Sequence, residues 1–356
     1  MRTLFISGLN ENNGGGSVIS NRNKQLLCDL LGETNVYEYR IAKKRNTLKT
    51  VFERCAFAYV VGLDSKAVKE ILEIAKKMDI IWIDGSFYGV LAKELKDNGY
   101  RGRIITFFHN IEKFFRKRTL IESILYPLYN GPLVRSEKDA INYSDILIAL
   151  TDRDAAYMYK IRPDAHVVLL PSSMKDTFVD KDGYAQRASR STGMLNLLFV
   201  GSYFYANING ISWFIDKVLP FVNARLTVVG ANMDKLPYVN TDKLQIHGFV
   251  KDLGEYYRRN DAVIAPIFEG SGMKTKTTEA LMWGKYIIGT DESFCGFLMD
   301  SSVGTKCRTE NDFIECINTL SEHGLNRFNI PSRDLYKKNY SMEHSMDIIK
   351  KVIYDF

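Results

Sequence analysis

Short apolar runs alternate with segments of helical periodicity along almost the whole chain. An alternating order of strands and helices forces parallel sheets whose two faces are both covered by helices. With 356 residues, the chain is long enough for two domains, each with its own core. The pattern therefore predicts an α/β chain made of two doubly wound domains. The clearest strand-like runs occupy 3–9, 80–84, 103–108, 146–150, 197–200, 225–229, 262–267 and 286–290.

A polar stretch interrupts this alternation near the middle of the chain. Residues 172–194 are rich in serine and glycine, a composition typical of linkers. We therefore predict a first domain over 1–171, a linker over 172–194 and a second domain over 195–340. A last helical segment follows over 341–356.

Composition excludes several classes of protein. The five cysteines are scattered and never spaced as C-x-x-C, and the five histidines are equally dispersed. We therefore expect a reducing compartment, no disulfide framework and no metal or other cofactor. The N-terminal residues have the pattern of a first strand rather than a signal peptide, and no apolar run reaches the ~18 residues of a spanning helix. A cytoplasmic protein is predicted. The net charge of +6 suits phosphate ligands or an anionic membrane and does not predict nucleic acid as a partner.

The segment 265–291 carries the most specific pattern. A buried strand leads into a glycine loop, a helix and a second buried strand. Glycines let backbone N–H groups approach an anion closely, and the helix N-terminus adds the positive end of its dipole. Two lysines near a helix start are unfavourable unless an anion neutralises them, and the glutamate that follows can accept hydrogen bonds from paired hydroxyls. The pattern predicts a ligand with phosphates at one end and a sugar beside them; the alternative is an ordinary turn that binds nothing. The residues concerned are Gly270, Ser271, Gly272, Lys274, Lys276 and Glu279.

This segment, GSGMKTKTTEAL followed by GKYIIGT, resembles the donor-site signature of bacterial GT-B glycosyltransferases of the family 4 group. The resemblance continues from 197 to near 307 through LLFVGSYFYANINGISWFIDKVLP, LTVVG and LQIHGFVKDLGEYYRRNDAVIAP. The first half matches weakly, through its glycine loop, a D-x-S-x-x-G segment at 84–89 and FHNIE at 108–112. The resemblance implies the GT-B fold. Two Rossmann-like domains would face each other across a cleft, and the C-terminal helix 341–356 would cross back to the first, acceptor-binding domain.

The resemblance also implies a nucleotide-sugar donor in that cleft. The glycine loop and the first lysine would hold the pyrophosphate, the helix glutamate would bind the ribose, and His109 would point toward the transferred sugar. Ordinary roles stay open: the run 14–16 also fits a flexible turn, His109 a half-buried histidine, and Phe249 a core residue. His109 and Glu269 are assigned as catalytic. The residues assigned to the donor are Gly15, Gly16, Gly201, Ser202, Phe249, Val250, Ser271, Gly272, Met273, Lys274 and Glu279.

One departure from the family pattern concerns the sugar. The commonest form has two glutamates separated by seven residues, the first of which touches the sugar. Here Ser271 stands at the position of that first glutamate, and Glu269 precedes Glu279 with nine residues between them. Either the loop is remodelled so that Glu269 reaches the sugar, or no carboxylate does. Retention of anomeric configuration is then implied by the resemblance alone.

A second informative stretch is basic and apolar. Phe114, Phe115 and several aliphatic residues stand among four cations, a composition that suits a surface lying on anionic lipid. The alternative is a packed amphipathic helix with a solvated basic face. On the membrane interpretation, the acceptor is a polyprenyl-diphosphate-linked saccharide, and the protein lies on the inner face of the plasma membrane. The cations are Lys113, Arg116, Lys117 and Arg118.

The sequence thus predicts a glycosyltransferase of the hexosyltransferase type. It would move a sugar from a nucleotide-sugar donor to a saccharide acceptor during assembly of a bacterial surface polysaccharide or glycan. Two alternatives stay open: a nucleotide-sugar 2-epimerase, and a non-catalytic GT-B subunit that binds a partner transferase.

Overall fold

The computed structural model describes residues 1–8, 15–42, 45, 47–112, 120–187, 190–270 and 272–355, and the side chains of 15, 120–130, 182 and 187 are outside this description. Contacts divide the chain into two compact units. Met1–Pro171 and Ser345–Phe356 form the first unit, and Ser172–His344 form the second. Each unit contains a six-stranded parallel sheet, so the predicted α/β architecture with two doubly wound domains is confirmed.

The first unit is built around a sheet with strand order β2-β1-β3-β4-β5-β6. Its central strands are buried on both faces, as expected for a parallel sheet covered by helices. Trp82 lies at its centre, with stacked ring contacts of 6.4 Å to both Phe5 and Phe107. The strands are β1 Thr3–Gly8, β2 Val36–Ile41, β3 Ile80–Asp84, β4 Arg103–Phe107, β5 Ile146–Ala149 and β6 Val167–Leu169. The helices are α1 Gly15–Leu31, α2 Leu48–Phe57, α3 Ser65–Ala75, α4 Val90–Asp97, α5 Leu120–Tyr143 and α6 Asp152–Ile161.

The second unit has a sheet of order β10-β9-β8-β11-β12-β13 and a separate antiparallel pair, β7 with β14. One apolar cluster fills its core and includes Phe199, Phe214, Ile264, Ile288 and Phe313. The strands are β7 Arg190–Ser191, β8 Leu195–Val200, β9 Ala224–Val229, β10 Leu244–His247, β11 Ala262–Ala265, β12 Tyr286–Gly289, β13 Gly304–Lys306 and β14 Leu325–Asn326. The helices are α7 Tyr184–Arg187, α8 Tyr205–Lys217, α9 Leu253–Arg259, α10 Thr275–Met282, α11 Glu310–His323 and α12 Ile330–Asn339.

The last helix, α13 Met342–Tyr354, contributes its C-terminal part to the first unit. Ser345, Ile349, Val352 and Ile353 are buried along one side of it. The Arg103 guanidinium donates hydrogen bonds to the carbonyls of Val352 (3.2 Å) and Ile353 (2.9 Å). These bonds satisfy carbonyls of the last helical turn that lack intrahelical partners.

The polar stretch 172–194 packs into the second unit for part of its length. Ser172 and Ser173 are fully buried, and Met174 forms a parallel bridge with Ser341. The backbone of this stretch is bonded to the second unit: the Ser172 carbonyl accepts a hydrogen bond from Thr278 Oγ1 (3.2 Å).

The basic cluster predicted to contact lipid (Lys113, Arg116, Lys117 and Arg118) lies outside the described residues. In the part of the chain that is described, no helix combines the length and apolarity needed to cross a membrane.

Candidate active site

The second sheet has its topological switch point between β8 and β11, because the chain runs outward from β8 through β9 to β10 and outward from β11 through β12 to β13. Ligands of open α/β sheets bind outside the carboxyl ends of the strands at such a point. Gly201 follows β8, and the loop 266–274 follows β11 and leads into α10. Both predicted phosphate-binding segments therefore start from the two strands that flank the switch point.

Close backbone packing explains the glycines after β8 and β9. Gly230 has φ 156°, and a Cβ atom placed there would lie 1.8 Å from the Gly201 carbonyl oxygen. A Cβ atom on Gly201 would lie 2.9 Å from Asn207 Nδ2 and 3.1 Å from Lys276 Nζ. Gly201 thus lies directly beside a polar pair, Asn207 and Lys276.

Lys274 stands at the start of α10, where the sequence placed it. Its ammonium is 2.8 Å from Glu292 Oε1 and donates to the Gly272 carbonyl (2.9 Å). Gly270 (φ 144°) and Gly272 (φ 64°) have left-handed backbone conformations that disfavour other residues. Ser271, which stands between them, lies outside the described residues.

Lys276 is one of the two lysines from which the sequence predicted an anion, although it was not assigned to the donor, and it is the more deeply placed of the two. Its Nζ donates to Asn207 Oδ1 (2.5 Å) and lies 4.5 Å from the centre of the Phe199 ring. Burial, reinforced by the nearby charge of Lys274, lowers the pKa of Lys276 to about 7. An anion at this edge would favour the charged form of Lys276.

Glu279 is held by aromatic neighbours. Its Oε2 accepts a hydrogen bond from the Tyr257 hydroxyl (3.1 Å), and burial raises its pKa to about 7. The buried Tyr257 ring is parallel to that of Trp283 at 5.7 Å, and the Arg258 guanidinium lies 5.4 Å from the Trp283 ring centre. Glu279 is partly exposed, so its carboxylate, which the Tyr257 hydroxyl orients, can accept hydrogen bonds from a ligand.

The other assigned residues of the second unit have mixed surroundings. Phe249, which follows β10, is 80% exposed and is therefore not a core residue, whereas Val250 is partly buried. Met273 is buried, and its sulfur accepts a hydrogen bond from the Ser172 amide (3.2 Å). Ser202 is exposed, and its carbonyl accepts from Asn207 (2.8 Å); Glu269 is partly buried in the loop after β11.

In the first unit, Asp84 at the end of β3 gathers four donors. His109 Nε2 lies 3.1 Å from Asp84 Oδ2, and the remaining contacts come from Ser20, Asn23 and Trp82. Burial alone would raise the pKa of Asp84, but the charge of His109 and these hydrogen bonds hold it below its ordinary value. His109 is therefore a mostly buried histidine whose ring nitrogen is bonded to a carboxylate.

The predicted glycine loop of the first unit is only partly described. Gly14 lies outside the described residues, Gly15 begins α1, and Gly16 is exposed, with open space around a hypothetical Cβ atom. Nearby, the Arg22 guanidinium is buried and donates to the Pro171 carbonyl (2.8 Å). Among the described residues, no group of three or more His, Cys, Asp or Glu side chains could hold a metal ion.

Sequence reasoning did not predict the residues that contact the assigned side chains. Asn207, Glu292, Tyr257 and Asp84 contact the predicted residues from other elements. A usable signal existed for Asp84, because it ends a buried parallel strand, the position where ligand-binding groups concentrate.

The chain resembles one known protein family by sequence and several solved structures by fold. Residues 195–323 match the family model described as Glycosyl transferases group 1. Among solved structures, HepE from Anabaena in complex with UDP and glucose has a TM-score of 0.70 at 12% identity, with 100% of both chains covered. Sucrose-phosphate synthase from Thermosynechococcus elongatus has a TM-score of 0.71 at 12% identity, covering 100% of this chain and 99% of that one. At such identities the likeness concerns the fold, and it confirms the GT-B prediction. A search of curated proteins finds no match.

Proposed function

From the match of residues 195–323 to the family model of glycosyl transferases group 1, we propose that the chain transfers a sugar from a nucleotide-sugar donor to a saccharide acceptor. The observation that carries the proposal is the pair of ammonium groups, Lys274 and Lys276, at the switch point of the second sheet. A diphosphate needs two or more positive contacts, and charge-assisted hydrogen bonds contribute roughly 1.5–3 kcal/mol each.

The diphosphate would compete with Glu292 for Lys274. In the structure Glu292 neutralises this lysine at 2.8 Å, while Lys276 is bonded to the neutral Asn207. In the proposed reaction, the bond between the sugar's anomeric carbon and the diphosphate oxygen breaks, an acceptor hydroxyl oxygen bonds to that carbon, and the hydroxyl proton passes to the leaving diphosphate or to water. Negative charge develops on the leaving diphosphate, and fixed ammonium groups stabilise charge that develops in the transition state.

Glu279 is proposed to bind the ribose, and Phe249 with Val250 the base. The Tyr257 hydroxyl orients the Glu279 carboxylate, which supports an acceptor role toward a diol. Sugar contact by Glu269 and by His109, and retention of configuration, stay predictions. No metal requirement is expected, because the two lysines supply positive charge where a metal ion would otherwise act.

The acceptor and the location of the reaction are further parts of the proposal. We propose a polyprenyl-diphosphate-linked saccharide as the acceptor, assembly of a bacterial surface polysaccharide or glycan, and peripheral association with the cytoplasmic face of an anionic membrane. The support is compositional: the basic and aromatic segment that contains Lys113, Arg116, Lys117 and Arg118, and the net charge of +6.

Thermal-shift screening tests the donor proposal. A donor whose free concentration is 100 times its dissociation constant stabilises the native state by about 2.7 kcal/mol. One of the UDP-, GDP-, dTDP- or CMP-sugars should therefore raise the melting temperature. Slow release of the free nucleoside diphosphate should accompany binding. Binding without turnover would instead favour the non-catalytic partner subunit, which the serine at the first glutamate position keeps in consideration. Lys274→Ala should reduce the stabilisation to about 0.3–1.3 kcal/mol at the same donor concentration, because the lost contact is worth ~1.5–3 kcal/mol. Lys217→Ala, which removes an exposed lysine at the end of α8, should keep the full shift.

Substitutions of Glu279 and Glu269 should affect different ligands. Glu279→Gln should weaken binding of the free nucleoside diphosphate and of the intact donor alike, since both contain the ribose. Glu269→Gln should weaken only the intact donor. Isothermal titration of both ligands against both variants checks this. An equal loss for both ligands in Glu269→Gln would exclude a specific sugar contact.

A further inference from the structure

Helix α2 of the first unit exposes its large apolar side chains to solvent. Leu48 is 93% exposed and Phe52 64%, and Val51 and Phe57 are also exposed. The buried member of the helix is instead a carboxylate, Glu53, which accepts a hydrogen bond from Ser65 (2.6 Å). A surface helix of a globular protein ordinarily turns its apolar stripe to the core and its charges to water. The reversed arrangement on α2 indicates that something covers this face.

The exposed face belongs to an ordered helix. Thr47 and Thr50 form a capping box at its N-terminus, and the Arg135 guanidinium donates to the Ala56 carbonyl near its end (3.0 Å). Such caps fix the first and last turns. The apolar side chains are therefore presented at fixed positions.

Two exposed cations, Arg45 and Lys49, stand next to Leu48 in the sequence. Lys49 Nζ lies 3.9 Å from Oε1 of Glu53, the only carboxylate of the helix, and that carboxylate is buried. The N-terminus of the helix adds the positive end of its dipole at the same place. Apolar side chains rimmed by cations match the layered chemistry of an anionic bilayer, with phosphates at the headgroup level and acyl chains below.

A further exposed apolar side chain, Val61, lies near the carboxyl edge of the first sheet. Val61, four residues after α2 ends at Phe57, is exposed and has φ 51°, a conformation that is strained for a β-branched residue. Its carbonyl accepts a hydrogen bond from the Tyr88 hydroxyl (3.0 Å). That hydroxyl lies 2.8 Å from where a Cβ atom on Gly8, the last residue of β1, would stand. Asp84 ends the strand beside β1 at this same edge.

We propose that the outer face of α2, together with Val61, is a docking surface that inserts into an anionic lipid bilayer. Insertion would bring the carboxyl edge of the first sheet to the headgroup layer, where the diphosphate of a lipid-linked acceptor lies. The inference deepens the proposed function and rests on it for the lipid-linked acceptor. Its bilayer contact is independent of donor chemistry and is tested separately.

Vesicle flotation of the full chain tests this surface. The wild type should float with vesicles of equal parts phosphatidylglycerol and phosphatidylcholine. Leu48→Gln with Phe52→Gln should lower the partition coefficient ~10-fold or more for each side chain, because each loses its burial in the acyl layer. The matched control is Val239→Gln with Phe221→Gln, two side chains of the second unit that are 82% and 65% exposed; it should float like the wild type. Arg45→Gln and Lys49→Gln should each lower binding about fivefold on anionic vesicles.

Three outcomes would overturn the proposal. The first is a wild type that stays with the unbound fraction at low salt, and the second is a Leu48→Gln, Phe52→Gln variant that floats normally. The third is a wild-type dimer, seen by sedimentation, that the same variant dissociates, which would assign the face to a second copy of the chain. The thermal shift with nucleotide sugars should be equal in wild type and variant. A missing shift in both, with flotation intact, would overturn the donor assignment and leave the docking surface.

Discussion

At the scale of single residues, the Asp84 carboxylate is surrounded by donors from four side chains. Its two oxygens accept from Ser20, Asn23, Trp82 and His109, so an amide in its place would turn an NH₂ group toward donors. Asp84→Asn should therefore lower the free energy of unfolding by roughly 1–3 kcal/mol at pH 7. Urea denaturation measures the change.

The pH dependence of folding stability should show the contribution of the Asp84 carboxylate. Because the pKa of Asp84 lies below its ordinary value of 3.8, its contribution is present above that value and is lost as pH falls through the lower, folded pKa. Wild-type stability should decline more steeply than that of Asp84→Asn as pH falls below ~4. The control, Asp97→Asn, removes an exposed carboxylate paired with Lys93 and should change stability by less than ~1 kcal/mol. Identical acid limbs in wild type and Asp84→Asn would contradict this account.

Lys276 should make nucleotide binding depend on pH. Burial lowers its pKa from 10.5 to about 7 in the free protein, so its side-chain amine is mostly neutral above pH 8. A bound diphosphate favours the charged ammonium form. The dissociation constant for the nucleoside diphosphate should rise by up to about tenfold per pH unit between pH 7.5 and 9. Titration calorimetry across that range measures it.

Two variants isolate the lysine from its neighbours. Lys276→Met should bind weakly at every pH, without the slope. Glu279 has a pKa raised to about 7, so Glu279→Gln tests whether that carboxyl contributes; this variant should keep the slope. A slope that survives in Lys276→Met would assign the titration to another group.

The sequence predicted candidate side chains for this site but not the residues that contact them. Lys274 and Glu279 were assigned from one strand–loop–helix unit, within which spacing indicates which side chains lie near each other, and their roles toward a donor stay predictions. Asn207 and Tyr257, which contact Lys276 and Glu279, come from α8 and α9, and only the folded sheet brings these elements together. Local patterns carry no information on such contacts, so the bond between Lys276 and Asn207 was not predicted.

At the scale of secondary structure, the packing of α8 depends on one glycine. A Cβ atom on Gly210 would lie 1.8 Å from the carbonyl oxygen of Pro266, which follows β11, and backbone cannot move aside cheaply. Gly210→Ala should destabilise the protein by roughly 1–3 kcal/mol or more, as overpacked cores do. Thermal unfolding measures the loss.

A second helical glycine is the matched control. Gly131 lies within α5 with open space around a hypothetical Cβ atom. Gly131→Ala should stabilise the protein by roughly 0.5–1 kcal/mol, because alanine costs less conformational entropy in a helix. The same substitution should thus have opposite signs in α8 and α5. Destabilisation at both would mean that steric contact at Pro266 is not the cause.

Periodicity predicted most strands of the two parallel sheets, but α12 was not predicted. Its buried side chains are Ser332, Arg333 and Tyr336, so it lacks the apolar stripe that marks a helix in sequence. Arg333 is held by Asp176, from the polar stretch predicted as a linker, and by the Met282 carbonyl (2.7 Å). A helix that docks through polar bonds to distant segments has no local signature.

At the scale of the whole molecule, the two units differ in how the chain builds them. The second unit is continuous, Ser172–His344, whereas the first is closed by Ser345–Phe356, from the far end of the sequence. The first core therefore depends on residues that follow the entire second unit. The sequence indicated this return only through a resemblance of its last segment, because sequence separation gives no physical signal of contact.

The contribution of α13 should accordingly appear in the first unit. Ile349 is fully buried, so Ile349→Ala should cost roughly 2–5 kcal/mol of unfolding free energy. Hydrogen exchange by peptide should show faster exchange in 1–171 and 345–355, while protection within the second unit stays as in the wild type. Ile330→Ala, an exposed isoleucine at the start of α12, should change stability by less than ~0.5 kcal/mol. Lost protection centred on Ser172–His344 would contradict the assignment of α13 to the first core, because the missing contacts would then belong to the other unit.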